Sequence, residues 1–336
     1  CGHKKLICSH KNNIFGHKQN IFGHNRVVNK SCLAITKIIV LYGGQSSERE
    51  VSLESGKFIS QSLEDLGYEV QLIDYPQQFS FQQLTQEDFI FIALHGEDGE
   101  SGELQKLLQQ RGIPFSGSSF QACVNTWNKN TCKELLQKNK IPTPRWITIS
   151  SLSEIQESLE DSFFDKLRPF KELFLKPAED GSSIDVFKIS NNKELELAIS
   201  DCINPRRPFI FEESIDFKEL TVPILNGRCL PAVEIKTSES FYNFNAKYVN
   251  EDTQLSKLIL SKDEKNQLEQ ICLRTLDVMG CRGWLRVDLL QDRNNNFYVL
   301  EVNTVPGMTS HSLFPKSAQS IGLSYDDLVQ EIINAK

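Results

Sequence analysis

Residues 38–42 form an apolar run of strand length, and the chain turns at once through Gly43-Gly44-Gln45-Ser46-Ser47 into a segment of helical spacing. Ser47 is placed to cap that helix, which runs to about Leu66 and stops at Gly67. A second strand is expected at 68–73 and a third at 89–94, ending in His95-Gly96; a short helix at 103–110 stops near Gly112. Strands alternating with helices imply an α/β fold with a parallel, doubly wound sheet. Ligands of such sheets bind beyond the carboxyl ends of the strands, where residues 43–48 and His95 fall.

The remaining pattern differs. A helix at about 126–138 leads to Ile141-Pro142-Thr143-Pro144, whose prolines mark a boundary. Strands at 173–176, 186–189 and 209–212 surround a loop at 177–183 and a helix at about 193–201. A longer helix at about 263–279 repeats Leu268, Ile271, Cys272, Thr275, Leu276 and Met279 at helical spacing. A hairpin follows, with strands 285–290 and 297–302 around a turn at 292–296. The organisation read from this is a tail at 1–36, an N-terminal α/β unit at 37–125, a central unit at 126–215 and a C-terminal unit at 216–336.

Composition narrows the function classes. The 336 residues suffice for two domains or three small ones, and 39% apolar with 24% charged residues excludes a wholly disordered chain. No apolar run reaches the 18 residues of a membrane-spanning helix. Seven of the 37 basic residues and none of the 44 acidic ones lie in 1–37, so the body carries −14, which argues against nucleic-acid binding there. Nine scattered cysteines without a CxxC pair point to free thiols in a reducing cytosol, hence a cytoplasmic location. In the tail His3, His10, His17 and His24 recur every seven residues and NIFGH occurs twice. It reads as a metal-binding array, a low-complexity tail, a junction from a longer fused chain, or translated sequence upstream of the true start; a secretory signal is not expected, because its basic residues are spread out and no long apolar core follows them.

Chemistry concentrates in four places. Arg286 and Asp288 are two apart and share one strand face, as do Glu301 and Asn303; a turn centred between Asn294 and Asn295 sets Asp288 opposite Glu301. Their hard oxygens suit Mg²⁺ with nucleotide phosphates, or else make an ordinary polar face with an Arg–carboxylate pair. The loop Lys176-Pro177-Ala178-Glu179-Asp180-Gly181-Ser182-Ser183 is a phosphate cradle or a plain turn, and is not a Walker loop. Glu48, at a helix start, either favours the helix dipole or holds a substrate ammonium. The segment 303–312 directly follows a strand and suits substrate contacts, although His311 alone is weak evidence.

Together GGQSSEREVS (43–52), ALHGEDGESGELQ (93–105), LKPAEDGSS (175–183), FNAKY (244–248), GWLRVD (283–288) and LEVNTVPGMTSHSL (300–313) resemble the D-alanine–D-alanine ligase family of the ATP-grasp superfamily, over about 37–336. The resemblance implies an ATP-grasp fold: the N-terminal sheet, then central and C-terminal α+β subdomains with ATP between them. It implies Lys129 and Lys176 at the ATP phosphates, Glu179, Gly181 and Ser183 in a loop over them, Glu212 beside adenine, Glu219 beside ribose and Lys247 on a mobile loop. Asp288, Glu301 and Asn303 match ligands of Mg²⁺, with two ions and Mn²⁺ as a substitute. Glu48 matches the residue holding the first D-alanine's ammonium, with Ser182 and Tyr248 as its hydrogen-bond partners. Arg286 and the Gly307 N–H match the oxyanion groups, His95 lies near the first substrate, and Ser312 and Leu313 match the second substrate's carboxylate pocket.

The implied activity is ATP-dependent formation of D-alanyl-D-alanine for peptidoglycan, through an acyl phosphate, in a homodimer or a chain fused upstream to another cell-wall enzyme. A depsipeptide ligase, another ATP-grasp ligase and an inactive nucleotide-binding module are the rivals; Tyr248 beside Lys247 favours the dipeptide enzyme. Leu285, Glu213, Val305 and Asn128 depart from the family's commoner small residue, Lys, Ser and Asp.

Overall fold

The computed structural model describes residues 37–153, 155, 167, 170–236 and 254–335. Elements are labelled in chain order through these residues. β1 (Lys37–Gly43), β2 (Glu69–Tyr75) and β3 (Asp88–Ile92) form a parallel sheet in the order β2-β1-β3. The central strand is apolar throughout, with Ile38, Ile39, Val40 and Leu41 all buried, as a strand covered on both faces requires. α1 (Arg49–Asp65) lies close on the sheet because its inner face is small: a Cβ on Gly56 would come within 2.5 Å of the Tyr42 side chain. α2 (Glu97–Glu100) and α3 (Glu103–Arg111) follow β3, and left-handed Gly112 ends α3.

Ser47 does not cap α1. The helix starts at Arg49 with Glu48 at the cap position and no side-chain cap bond. Ser46 acts instead: its hydroxyl accepts from the Glu48 N–H (3.2 Å) and donates to the His95 carbonyl (2.7 Å), pinning the turn to the end of β3. The cap expectation failed because it assumed an earlier first turn.

The helix expected at 126–138 is two, α4 (Phe120–Trp127) and α5 (Lys129–Lys138). The break is at Asn128, whose backbone is extended and whose Oδ1 accepts from the Thr131 N–H at 3.0 Å, capping α5. β4 (Trp146–Ile149), β5 (Leu173–Pro177), β6 (Phe187–Ile189) and β7 (Phe209–Glu213) form an antiparallel sheet in the order β4-β7-β5-β6, with α6 (Asn192–Asp201) on its apolar side.

The third sheet is antiparallel, in the order β11-β10-β8-β12-β13, from β8 (Lys218–Leu225), β10 (Val233–Lys236), β11 (Gln254–Lys257), β12 (Trp284–Gln291) and β13 (Phe297–Asn303); the short β9 (Arg228–Cys229) pairs with β8. α7 (Lys262–Met279) opens with a capping box between Ser261 and Glu264, and its Leu268, Ile271 and Cys272 join Leu285, Val287, Leu289, Phe297, Val299 and Val302 in one core.

The hairpin register is shifted once. Gln291 pairs with Phe297 and Leu289 with Val299, which centres the turn on Asn294 rather than between Asn294 and Asn295. A bulge then leaves Leu300 unpaired and restores Asp288 opposite Glu301 and Arg286 opposite Asn303. The expected pairing therefore holds, but through the bulge.

α8 (Leu313–Gln319) and α9 (Tyr325–Ile333) complete the chain. α9 buries Leu328, Val329, Ile332 and Ile333 in the core of the first sheet. Among the described residues, no helix is long and apolar enough to cross a membrane.

Candidate active site

The bulge decides which side chains the hairpin presents. Leu285, Val287 and Leu289 of β12 alternate with Arg286 and Asp288, so the core takes the odd positions. On β13 the core takes Phe297 and Val299, and after the bulge Val302. Glu301 and Asn303 thereby join Arg286 and Asp288 on the opposite face. Arg286 forks onto Asp288, with Nε to Oδ1 and Nη2 to Oδ2 both at 2.8 Å. Asp288 also accepts from the buried Thr221 hydroxyl of β8 at 2.6 Å. Glu301 makes no hydrogen bond or ion pair with a described residue, and Asn303 Oδ1 accepts from the Val305 N–H at 3.0 Å.

Among the described residues no three His, Cys, Asp or Glu side chains converge as a metal site. The donor set here is two carboxylates and an amide. Hard oxygens in that number fit a Mg²⁺ ion that keeps water and takes phosphate oxygens for its remaining positions.

The central sheet supplies cations. Lys129, at the start of α5, donates from Nζ to the Asp180 carbonyl at 2.7 Å. Burial pushes its pKa down and the charge of Glu301 pushes it back up. On β5 Lys176 pairs with Glu212 of β7, whose other oxygen takes Lys133 at 2.7 Å. Burial alone would raise the Glu212 pKa; Lys133 and Lys176 outweigh it and bring it to about 2.

Lys133 also donates to the Thr143 hydroxyl (2.8 Å) and the Pro144 carbonyl (3.2 Å). Sequence reasoning missed it. Its signal was available: it stands one helical turn after Lys129, on the same face.

The loop after β5 closes toward the N-terminal sheet. A Cβ on Gly181 would stand 3.0 Å from Glu48 Oε2, and one on Gly96 would stand 3.6 Å from the same oxygen. Ser182 is buried, and its hydroxyl finds no partner among the described residues. Glu179 is exposed and accepts from Asn128 Nδ2 at 2.8 Å. Ser183, like Ser182, has a left-handed backbone. Glu219 faces Leu290 and Ile235 across β8.

His95 is buried with both ring nitrogens engaged. Nδ1 lies 2.8 Å from the Val305 carbonyl, so it carries the proton, and Nε2 lies 3.1 Å from the Ser55 hydroxyl. Ser55 in turn accepts from the Met308 N–H at 3.1 Å. His95 therefore fixes the 305–308 segment that carries Gly307. Burial pushes its pKa down, keeping it neutral in this role. A Cβ on Gly307 would meet Ser312 Oγ at 2.8 Å; that hydroxyl bonds Thr309, and Leu313 packs with Val233 and Ile235.

Glu100 was also missed. It is buried, accepts from the Gly96 N–H at 2.8 Å, and feels the charges of Glu48, Arg286 and Glu301. Lys247 and Tyr248, named from the sequence, lie outside the described residues.

The four departures have local accounts. Leu285 points into the core, away from the polar face. Val305 is buried and offers only its backbone to His95 and Asn303. Glu213 takes a two-pronged bond from Arg145, at 2.8 and 2.6 Å. Asn128 both caps α5 and donates to Glu179; an Asp could cap but would face Glu179 as a second carboxylate.

An N-terminal parallel sheet followed by two antiparallel sheets, with lysines from one and carboxylates from the other, defines an ATP-grasp architecture. The family described as "D-ala D-ala ligase C-terminus" matches residues 135–334. The chain is 38% identical over 299 residues to a D-alanine–D-alanine ligase of Glaesserella parasuis, covering 88% of this chain and 97% of that one. It is 39% identical to that of Haemophilus ducreyi over the same length and coverage. The solved D-alanine–D-alanine ligase of Bacillus anthracis complexed with ATP superposes with a TM-score of 0.76 at 31% identity, covering 89% of this chain and 96% of that one. The chain belongs to the D-alanine–D-alanine ligase family.

Proposed function

We propose that this chain is an ATP-dependent ligase that joins two D-alanines into D-alanyl-D-alanine for peptidoglycan precursors. The observation that carries the reading is the bulge at Leu300, which turns Glu301 and Asn303 onto the face of Arg286 and Asp288 and within electrostatic reach of Lys129. A hairpin with only a structural role has no need of that reversal.

In this reading one D-alanine carboxylate attacks the γ-phosphorus of ATP and ADP leaves as the bridging P–O bond breaks. The second D-alanine's amine, after losing a proton, attacks the resulting acyl phosphate carbon, and phosphate and a further proton leave as the amide forms. Glu48 holds the first ammonium, with the Ser182 hydroxyl beside it. Lys129, Lys176, Glu179, Gly181 and Ser183 face the phosphates, Glu212 adenine and Glu219 ribose. Arg286 and the Gly307 N–H face the developing oxyanion, and Ser312 and Leu313 the second carboxylate. Mg²⁺ held by Asp288, Glu301 and Asn303, as two ions and replaceable by Mn²⁺, supplies charge neutralisation between the approaching anions. Lys247 and Tyr248 complete the set. A cytoplasmic homodimer fits the same reading.

The test is ADP release with Mg·ATP and D-alanine, the product identified by mass, with L-alanine and with D-alanine plus D-lactate in parallel. Dipeptide formed from D-alanine alone is expected; ADP release without dipeptide would sink the reading. Arg286→Ala should lower turnover by about 10²–10³ while ATP binding persists.

A further inference from the structure

The loop between β5 and β6 is held in an unusual shape. Ser182, Ser183 and Asp185 all have left-handed backbones, with φ of 60°, 59° and 54°, a conformation that side-chain-bearing residues adopt only when something holds them. Arg207, in the connection leading into β7, grips the stretch at both ends. One Nη pairs with Asp180, and the other lies 2.6 Å from Asp185 Oδ2. The Asp185 carboxylate also accepts from the N–H groups of Ile203 (2.9 Å) and Asn204 (3.2 Å), and its side chain is 2% exposed. The guanidinium lies over the Phe209 ring at 5.7 Å, and its Nε has no partner among the described residues, so its orientation is set by the two carboxylates. Between the two clamped aspartates lie Gly181 beside Glu48, and Ser182, whose hydroxyl has no partner among the described residues.

We propose that Arg207 is the positioning residue of this loop, a fork that spans Asp180 and Asp185 and keeps Gly181–Ser183 preshaped for the triphosphate of ATP. The inference rests on the reading of the loop as a phosphate cover. Lys129 reaches only the front of the loop, through the Ala178 carbonyl from its N–H and the Asp180 carbonyl from Nζ, both at 2.7 Å. Without Arg207 the 182–185 segment loses the charge that offsets its left-handed backbone, and binding must then order it.

Amide hydrogen exchange of the nucleotide-free enzyme and steady-state kinetics on Arg207→Ala and Arg207→Lys test this. Exchange in the peptide spanning 179–186 should quicken in Arg207→Ala. Its KM for ATP should rise about tenfold, the loss of roughly one charge-assisted hydrogen bond. KM for D-alanine should hold, while the thermal midpoint should fall, because the buried Asp185 carboxylate is left without its cation. Lysine, a point charge without the fork, should restore only part. Unchanged exchange would overturn the tether. Faster exchange with an unchanged KM for ATP, or both KM values rising together, would overturn the positioning role. A wild-type enzyme without turnover would instead defeat the ligase reading, while the exchange experiment still decides the tether.

Discussion

Glu100 is a carboxyl group with almost no water around it and one N–H, that of Gly96, to bind. Burial first, then the charge of Glu48, raises its pKa from 4.5 to about 8; the Gly96 N–H and Arg286 pull the other way without winning. At neutral pH it is the protonated member of its carboxylate neighbourhood. The consequence for stability has a definite sign. The folded protein keeps a proton that the unfolded chain releases above pH 4.5. The group's contribution is therefore full below that value and is lost as pH rises toward 8, with a slope of at most about 1.4 kcal/mol per pH unit. Glu100→Gln removes the slope. Urea unfolding at pH 5.5 and 8.5 should show the wild type losing stability relative to the variant at the higher pH, and parallel behaviour would show that Glu100 is ionised throughout. Glu212 is the opposite case: buried as deeply, it stays ionised because Lys133 and Lys176 flank it.

At the scale of elements the β12–β13 hairpin is the part on which the site depends. Deleting Leu300 removes the extra residue, so regular alternation then runs Val299 inward, Glu301 outward, Val302 inward and Asn303 outward, with the same pairs across β12. Turnover should stay within about tenfold and the urea midpoint should hold, since no polar side chain enters the apolar core. A deletion variant that loses its ADP release would show that the bend of the bulge, and not alternation alone, sets the site. The same hairpin marks the limit of what the sequence discloses. Two-residue spacing made the shared faces of Arg286 and Asp288, and of Glu301 and Asn303, legible, because strand alternation is local. The bulge was not legible, because a run such as Tyr-Val-Leu-Glu-Val carries no mark of which residue is left unpaired. Although spacing alone places Lys129 and Lys133 on one helix face, the roles of Arg207 and Lys133 escaped for a related reason. Their partners, Asp180, Asp185 and Glu212, lie far along the chain and meet them only once the central sheet is assembled. The break at Asn128 was half legible: Asn is a good cap, yet a capping residue inside a helical pattern declares itself only when its backbone is seen to be extended.

At the scale of the described residues, the C-terminal segments pack back on the N-terminal sheet. His95 at the end of β3 grips Val305 and, through Ser55, Met308, so the segment carrying Gly307 is set by the N-terminal sheet. Farther on, α9 lies against α1: the Ser62 hydroxyl donates to Asp326 at 2.6 Å, and Tyr68 meets Gln330. Leu328, Val329, Ile332 and Ile333 share the core of Ile59 and Leu63. Burying four such side chains contributes about 1.5–3 kcal/mol each, comparable to the whole net stability of a typical domain, about 5–15 kcal/mol. A chain cut after Gly322 should therefore fail to fold cooperatively, read by circular dichroism and urea unfolding. Removing residues 1–36 should change neither the urea midpoint nor ADP release, because every group named in the site lies beyond Lys37. A folded, active product of the first cut would mean that the N-terminal sheet and the 305–308 segment keep their geometry without α9. Activity lost on the second would mean that the first 36 residues reach the site.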